Sequence, residues 1–186
     1  MKKLVLLAIG ILVTGVALAA MFKPAASLNP PASLNPHAPL ANGPQVYQEA
    51  PGFVLVDTWG DKVRLADFRG KIVILHFWAE WCGSCKEELR HFQRIQEKYS
   101  SAEVVVLGLA YASGDRERVR GIVDDLGVTY PIVVCDEETW NRYQVVCLPT
   151  NIVVDRVGKM RYVTSRHMNL DAWERILGEI IAEQVG

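Results

Sequence analysis

His76-Phe77-Trp78-Ala79-Glu80-Trp81-Cys82-Gly83-Ser84-Cys85 decides the reading of this chain. Its first three residues end a near-continuous apolar run, Lys71 to Trp78, rich in β-branched side chains. Such a run is the pattern of a strand buried on both faces. From Cys82 to Tyr99, Cys85, Glu88/Leu89, Phe92, Ile95 and Tyr99 recur at three- and four-residue spacing, which predicts a helix. A Cys-x-x-Cys pair between strand and helix has a specific use. The first helical turn presents unpaired N–H groups and the positive end of the dipole, which lowers the pKa of a thiol placed there. Cys82 is therefore expected to be the nucleophilic thiolate. Cys85, one turn inward, is expected to close a disulfide back onto it. Open α/β sheets carry functional residues at the C-terminal ends of their strands, and this motif follows one.

Working outward, Val104–Tyr111 is a second buried strand, and Val119, Ile122, Val123 and Leu126 mark a helix closed by Gly127. Ile132–Cys135 is a third strand. Asn151–Asp155 and Met160–Thr164 flank Arg156-Val157-Gly158-Lys159 as an antiparallel hairpin. Asn169 caps a last helix that turns Leu170, Trp173, Ile176, Leu177 and Ile180 inward. Upstream, Phe53–Val56 and Lys62–Leu65 surround the turn Thr58-Trp59-Gly60-Asp61. Residues 47–186 thus read as one α/β domain: a mixed central sheet, helices on both faces and an N-terminal β-hairpin extension. Arg116, Arg118 and Arg120 lie between the apolar positions of their helix and read as a solvated face.

The rest of the chain is different. Residues 1–22 hold Lys2 and Lys3, then Leu4 to Phe22 without a charge, with Ala17-Leu18-Ala19 near the end. This is the pattern of a signal peptide or an N-terminal membrane anchor. Residues 23–46 carry six of the nine prolines and repeat Ala-Ser-Leu-Asn-Pro at 26–30 and 32–36, a flexible linker that buries no core. His37 stands alone in it. A tether behind an apolar segment favours the anchor, and lysines before that segment orient the domain out of the cytoplasm. All 21 acidic residues lie at Glu49 or later, where 17 basic residues remain, so no basic patch suits nucleic acid.

A structural zinc site needs four ligands. Cys135 and Cys147 form no second close pair, which argues against one. A Cys82–Cys85 bridge closes too small a loop to serve stability. Redox chemistry remains.

Phe77 to Cys85, followed by Leu148-Pro149-Thr150, resembles the thioredoxin superfamily. The apolar N-terminus, Ala50-Pro51-Gly52-Phe53 with its hairpin, and Glu88 three residues after Cys85 resemble TlpA/ResA-like extracytoplasmic thiol–disulfide oxidoreductases, some of which serve cytochrome c maturation. The resemblance spans roughly residues 48 to 184. It implies a thioredoxin fold, with Pro149 as a cis-proline facing the disulfide and the Leu148 backbone pairing with an extended substrate. Trp81 and Trp78 would shape the site. Further implied are reduction of protein disulfides, re-reduction by a membrane electron donor, membrane attachment if residues 1–22 stay uncleaved, and no cofactor beyond the Cys82–Cys85 disulfide itself. The alternatives are a disulfide oxidase or isomerase, and a non-catalytic thiol metallochaperone.

The sequence also departs from the family pattern. Ser84 stands where many members have proline, which leaves the redox poise open. Cys147 precedes Pro149 by two. His76 takes the place of a buried Asp in thioredoxins. Glu88 shares a helix face with Cys85 and is expected to accept its proton. His76, with an unperturbed pKa near 6.5, is a second relay, unless it is a core residue bonded to backbone. With the Cys-x-x-Cys closed, an oxidising compartment makes Cys135–Cys147 a candidate structural disulfide, the alternative being two buried thiols.

Overall fold

The structure is a computed structural model that describes residues 46–99 and 104–183. The expectations for residues 1–22 and, Val46 apart, for the linker lie outside the described residues. Among the described residues no helix is long and apolar enough to cross a membrane.

In chain order the elements are β1 (Val54–Asp57), β2 (Lys62–Arg64), a 3-10 turn (Leu65–Phe68), β3 (Ile72–Trp78), α1 (Gly83–Tyr99) and β4 (Val104–Ala110). There follow α2 (Arg116–Asp125), β5 (Ile132–Val134), α3 (Glu137–Arg142), β6 (Thr150–Val154), β7 (Met160–Thr164) and α4 (Leu170–Glu183). The strands make one sheet in the order β2-β1-β5-β4-β3-β6-β7. β3, β4 and β5 run parallel; β6, β7, β1 and β2 join antiparallel. This is the mixed sheet expected of a thioredoxin fold, with the N-terminal β1–β2 hairpin added at one side.

The period of two along β3 divides the core. Ile72, Ile74 and Trp78 face the layer formed by Leu89, Phe92 and Ile95 of α1, Val119 and Val123 of α2, and Trp173 and Leu177 of α4. Val73, Leu75 and Phe77 face the other layer, with Phe53, Leu55, Leu65, Tyr143 and Val145. His76 is fully buried and in phase with Ile74 and Trp78, so it points towards α1.

Caps and turns are set locally. Gly127 takes a positive φ of 68° after α2, and Asn169 Oδ1 accepts the Ala172 N–H at 3.0 Å, both as expected. Asp57 Oδ1 accepts the N–H groups of Trp59, Gly60 and Asp61 and so closes the first hairpin. Two elements differ from expectation. Leu65 leaves β2 to open the 3-10 turn, and α3 appears where no helix was read. Glu-Glu-Thr-Trp-Asn-Arg is too short and polar to show a helical period, although Asp136 caps it by accepting the Thr139 N–H at 2.7 Å.

Before β1 the chain forms a strap. Tyr47 N–H donates to Met160 O, Met160 N–H to Gln48 O, and Ala50 N–H to Gly158 O, at 2.6, 2.9 and 2.9 Å. The strap therefore starts on β7 and its hairpin, passes Tyr143 (whose hydroxyl donates to Pro51 O), and reaches β1 beside β5.

Candidate active site

β3 delivers the motif to one end of the sheet. Trp78 ends the strand, the Cys82 N–H bonds Ala79 O, and α1 starts at Gly83. Cys82 thus occupies the cap position. Its carbonyl accepts from the Lys86 N–H, and its sulfur accepts the Cys85 N–H at 3.2 Å. A disulfide joins Cys82 to Cys85 across a Cα separation of 5.3 Å. Cys82 keeps 8% of its surface open while Cys85 has none, and Trp81 beside them is largely exposed.

The second part of the site arrives with β6. The register Phe77↔Thr150 brings the loop before β6 to the same end of the sheet. Leu148-Pro149 is a cis peptide bond, as the resemblance implies. Thr150 Oγ1 secures the loop by donating to Cys147 O at 2.8 Å. Val146 and Cys147 are exposed on it.

Beneath the disulfide lies a buried polar cluster. Glu88 is completely buried on α1. Its Oε1 accepts the Met168 N–H at 2.9 Å and the Trp173 Nε1–H at 3.2 Å; its Oε2 accepts Asn151 Nδ2–H at 2.9 Å. Asn151 Oδ1 lies 2.6 Å from His76 Nδ1, and His76 Nδ1 lies 3.9 Å from Glu88 Oε2. Burial pushes the His76 ring below its ordinary 6.5, against the opposing pulls of Glu88, the Asn151 amide and the Cys85 backbone. The ring is neutral at pH 7, so its approach to Glu88 is not an ion pair at rest.

The comparisons agree with this geometry. Residues 46–163 match the AhpC/TSA family. The ResA thiol-disulfide oxidoreductase of Geobacillus kaustophilus is 33% identical over 132 residues, 70% of this chain and 75% of that protein. The thioredoxin-like protein YneN of Bacillus subtilis is 33% identical over 117 residues, 62% of this chain and 69% of that protein. The chain belongs to the AhpC/TSA family of the thioredoxin superfamily. It is a thiol–disulfide oxidoreductase of the ResA type. The fold agrees: a thioredoxin-family thiol:disulfide interchange protein from Chlorobium tepidum superposes with a TM-score of 0.67 at 22% identity, over 74% of this chain and 98% of its own.

Within this family frame, Cys82, Cys85 and Trp81 meet at one end of the sheet with Leu148 and Pro149, while His76 and Glu88 lie below. Cys135 and Cys147 do not pair. Both are free. Cys135 is buried in the layer behind β3, its thiol donating to Asp136 O, whereas Cys147 faces solvent and donates to Ser165 O. The expected Cys135–Cys147 disulfide is therefore corrected: the strand end and the loop point their sulfurs into different surroundings. Burial, then Asp136, pushes the Cys135 thiol up to about 12. Arg118 is exposed, in keeping with the solvated face expected of its helix. From that face it grips Glu80 with Nε and Nη2, a pairing the sequence does not show. Arg120 lies over the Trp59 ring, 5.0 Å from its centroid. Sequence reasoning also missed Asn151, a polar residue placed inside a strand of valines and an isoleucine. That misfit was the available signal.

Proposed function

We propose that this chain is an extracytoplasmic reductase of protein disulfides. The observation that carries the reading is the asymmetry of the two sulfurs. Cys82 caps α1, keeps an open surface and already receives an N–H; Cys85 is sealed. An anionic sulfur at Cys82 gains that N–H and the positive end of the helix. Cys82 Sγ attacks a substrate disulfide, and one substrate sulfur leaves. Cys85 then attacks Cys82 Sγ, the internal disulfide forms, and the second substrate sulfur is released. A dithiol donor at the membrane restores the pair. Leu148 and Pro149 line the groove for an extended substrate segment, with Trp81 and Val146 as exposed apolar walls. Glu88 and the groups bonded to it receive the proton that Cys85 gives up. Paired cysteines of apocytochromes c are the proposed substrate class, supported by the family resemblance. The N-terminal segment would hold the domain at the outer face of the membrane.

Reduction potential decides the direction. A value for Cys82–Cys85 near that of thioredoxin, about −270 mV, fits a reductase; one near about −120 mV marks an oxidase and overturns the reading.

A further inference from the structure

Two donors reach the Cys82 sulfur. The Cys85 N–H bonds it at 3.2 Å, and Ser84 Oγ lies 3.6 Å from it, within hydrogen-bond reach of a sulfur. In the disulfide Cys82 Sγ carries no hydrogen, so the hydrogen between the two atoms belongs to the hydroxyl. The helix explains the approach. Cys82 caps α1, Gly83 opens it, and Ser84 is its second residue. Cα–Cβ bonds in a helix tilt towards its N-terminus, which carries the Ser84 hydroxyl back towards the capping residue. Among the described residues that hydroxyl has no other hydrogen-bond partner.

We propose that Ser84 is a catalytic residue whose hydroxyl donates to the Cys82 thiolate and so favours the reduced, reactive state of the pair. The inference rests on the reading of Cys82 as the attacking sulfur. A disulfide sulfur is a weak acceptor, whereas a charge on the acceptor roughly doubles the strength of a hydrogen bond. The hydroxyl therefore stabilises the reduced pair more than the disulfide wherever Cys82 is ionised. It acts twice in the cycle. Before attack it helps keep Cys82 free of its proton. In re-reduction one sulfur of the dithiol donor, as thiolate, bonds Cys82 Sγ, and Cys85 leaves with the electron pair of the broken bond and takes a proton from solvent. The donor's second sulfur, having lost its proton to solvent, then bonds the first, and the bond to Cys82 breaks with its pair on Cys82 Sγ. The Ser84 hydrogen bond meets the charge that forms there. Both electrons come from the donor, and Ser84 keeps its hydrogen throughout. Other titratable groups stand around Cys82: Glu80, held by Arg118 and drawn by Lys86; His76 and Glu88 below the pair; and Cys147 on the loop before β6. Glu80, Arg118, Lys86, His76 and Glu88 are unchanged when Ser84 is replaced, so a comparison of Ser84 variants isolates the hydroxyl.

Ser84→Ala removes the donor and Ser84→Thr keeps it. In a Cys147→Ser background, alkylation of the reduced protein by iodoacetamide is followed against pH, and peptide mapping locates the label. The label should fall on Cys82. The midpoint of its rate should rise by about one pH unit in Ser84→Ala, a tenfold loss of acidity, and stay within about 0.3 unit of its original place in Ser84→Thr. Equilibration with glutathione gives the second reading. Above both midpoints Ser84→Ala should be about tenfold harder to reduce, about 30 mV more negative, and this gap should narrow as pH falls through the midpoints and Cys82 takes up its proton. An unmoved midpoint in Ser84→Ala overturns the inference, as does a gap in potential that is constant across pH or a Ser84→Thr protein shifted as far as Ser84→Ala. A label that falls on Cys85 instead of Cys82 would overturn the underlying roles of the two cysteines.

Discussion

Arg118 on α2 holds Glu80, two residues before Cys82, through Nε to Oε2 at 2.5 Å and Nη2 to Oε1 at 3.0 Å. The Glu80 N–H meanwhile donates to Ser113 Oγ at 3.0 Å. The loop entering the disulfide is thus fastened to the segment after β4 by main chain and side chain together.

That pair has a pH signature. The hydrogen bond from Arg118, then its charge, holds the Glu80 carboxyl below its ordinary 4.5. A carboxyl lowered by folding stabilises above its unfolded value and loses that contribution as pH falls through its folded one. Both groups are open to solvent, so the effect is small and screened. Urea unfolding of Arg118→Ala should show a deficit at pH 7 that disappears below pH 4.5 and shrinks in about 1 M salt. A deficit constant across pH would point to lost packing of the arginine stem instead.

The two free thiols should separate cleanly. With Cys82–Cys85 closed, maleimide should modify Cys147 in the native protein and Cys135 only after unfolding, since Cys135 is buried and its thiol pushed up to about 12. Mass spectrometry would count one adduct, then two. Two adducts on the native protein would show that the Cys135 layer opens.

For the disulfide itself, Cys82→Ser should abolish thiol exchange, and Cys85→Ser should accumulate a mixed disulfide with substrate because resolution is lost. Non-reducing electrophoresis after mixing with a disulfide-bonded protein reads this directly. Trapping by Cys82→Ser alone would reverse the roles.

Trp173 both packs and donates: its ring meets Phe92 at 5.0 Å, and its Nε1–H reaches Glu88 Oε1. Trp173→Phe keeps much of the ring but removes the donor. Chemical denaturation should show a loss of about 1–3 kcal/mol, the range for depriving a buried charged acceptor of a partner. A loss under about 0.5 kcal/mol would mean that water replaces the indole.

Much of this was legible in the sequence because it is local. Lys71 to Trp78 announces a strand buried on both faces, Cys-x-x-Cys at a helix start announces the chemistry, and Asn169 and Gly127 mark their helix ends. What escaped depends on residues distant in the chain. Asn151 looks like a polar error in an apolar strand until β3 and α1 supply His76 and Glu88. Arg118 is the surface charge it looks like, but its partner Glu80 comes into reach only across the fold. The Cys135–Cys147 expectation failed for the same reason: a count of cysteines carries no direction of their side chains.

The strap formed by residues 47–50 has a mechanical consequence. A pull entering the domain at Val46 is met first by the hydrogen bonds of Tyr47, Gln48 and Ala50 to the β7 hairpin. Arg69 reinforces the spot by donating to Val157 O and reaching Glu49. The load is taken up at the β7 edge of the sheet, before it reaches β1. The segments carrying Cys82 and Pro149 follow β3 and precede β6, further along the chain than this clasp, so a pull at the leading end of the domain meets the β7 hairpin before it meets either of them.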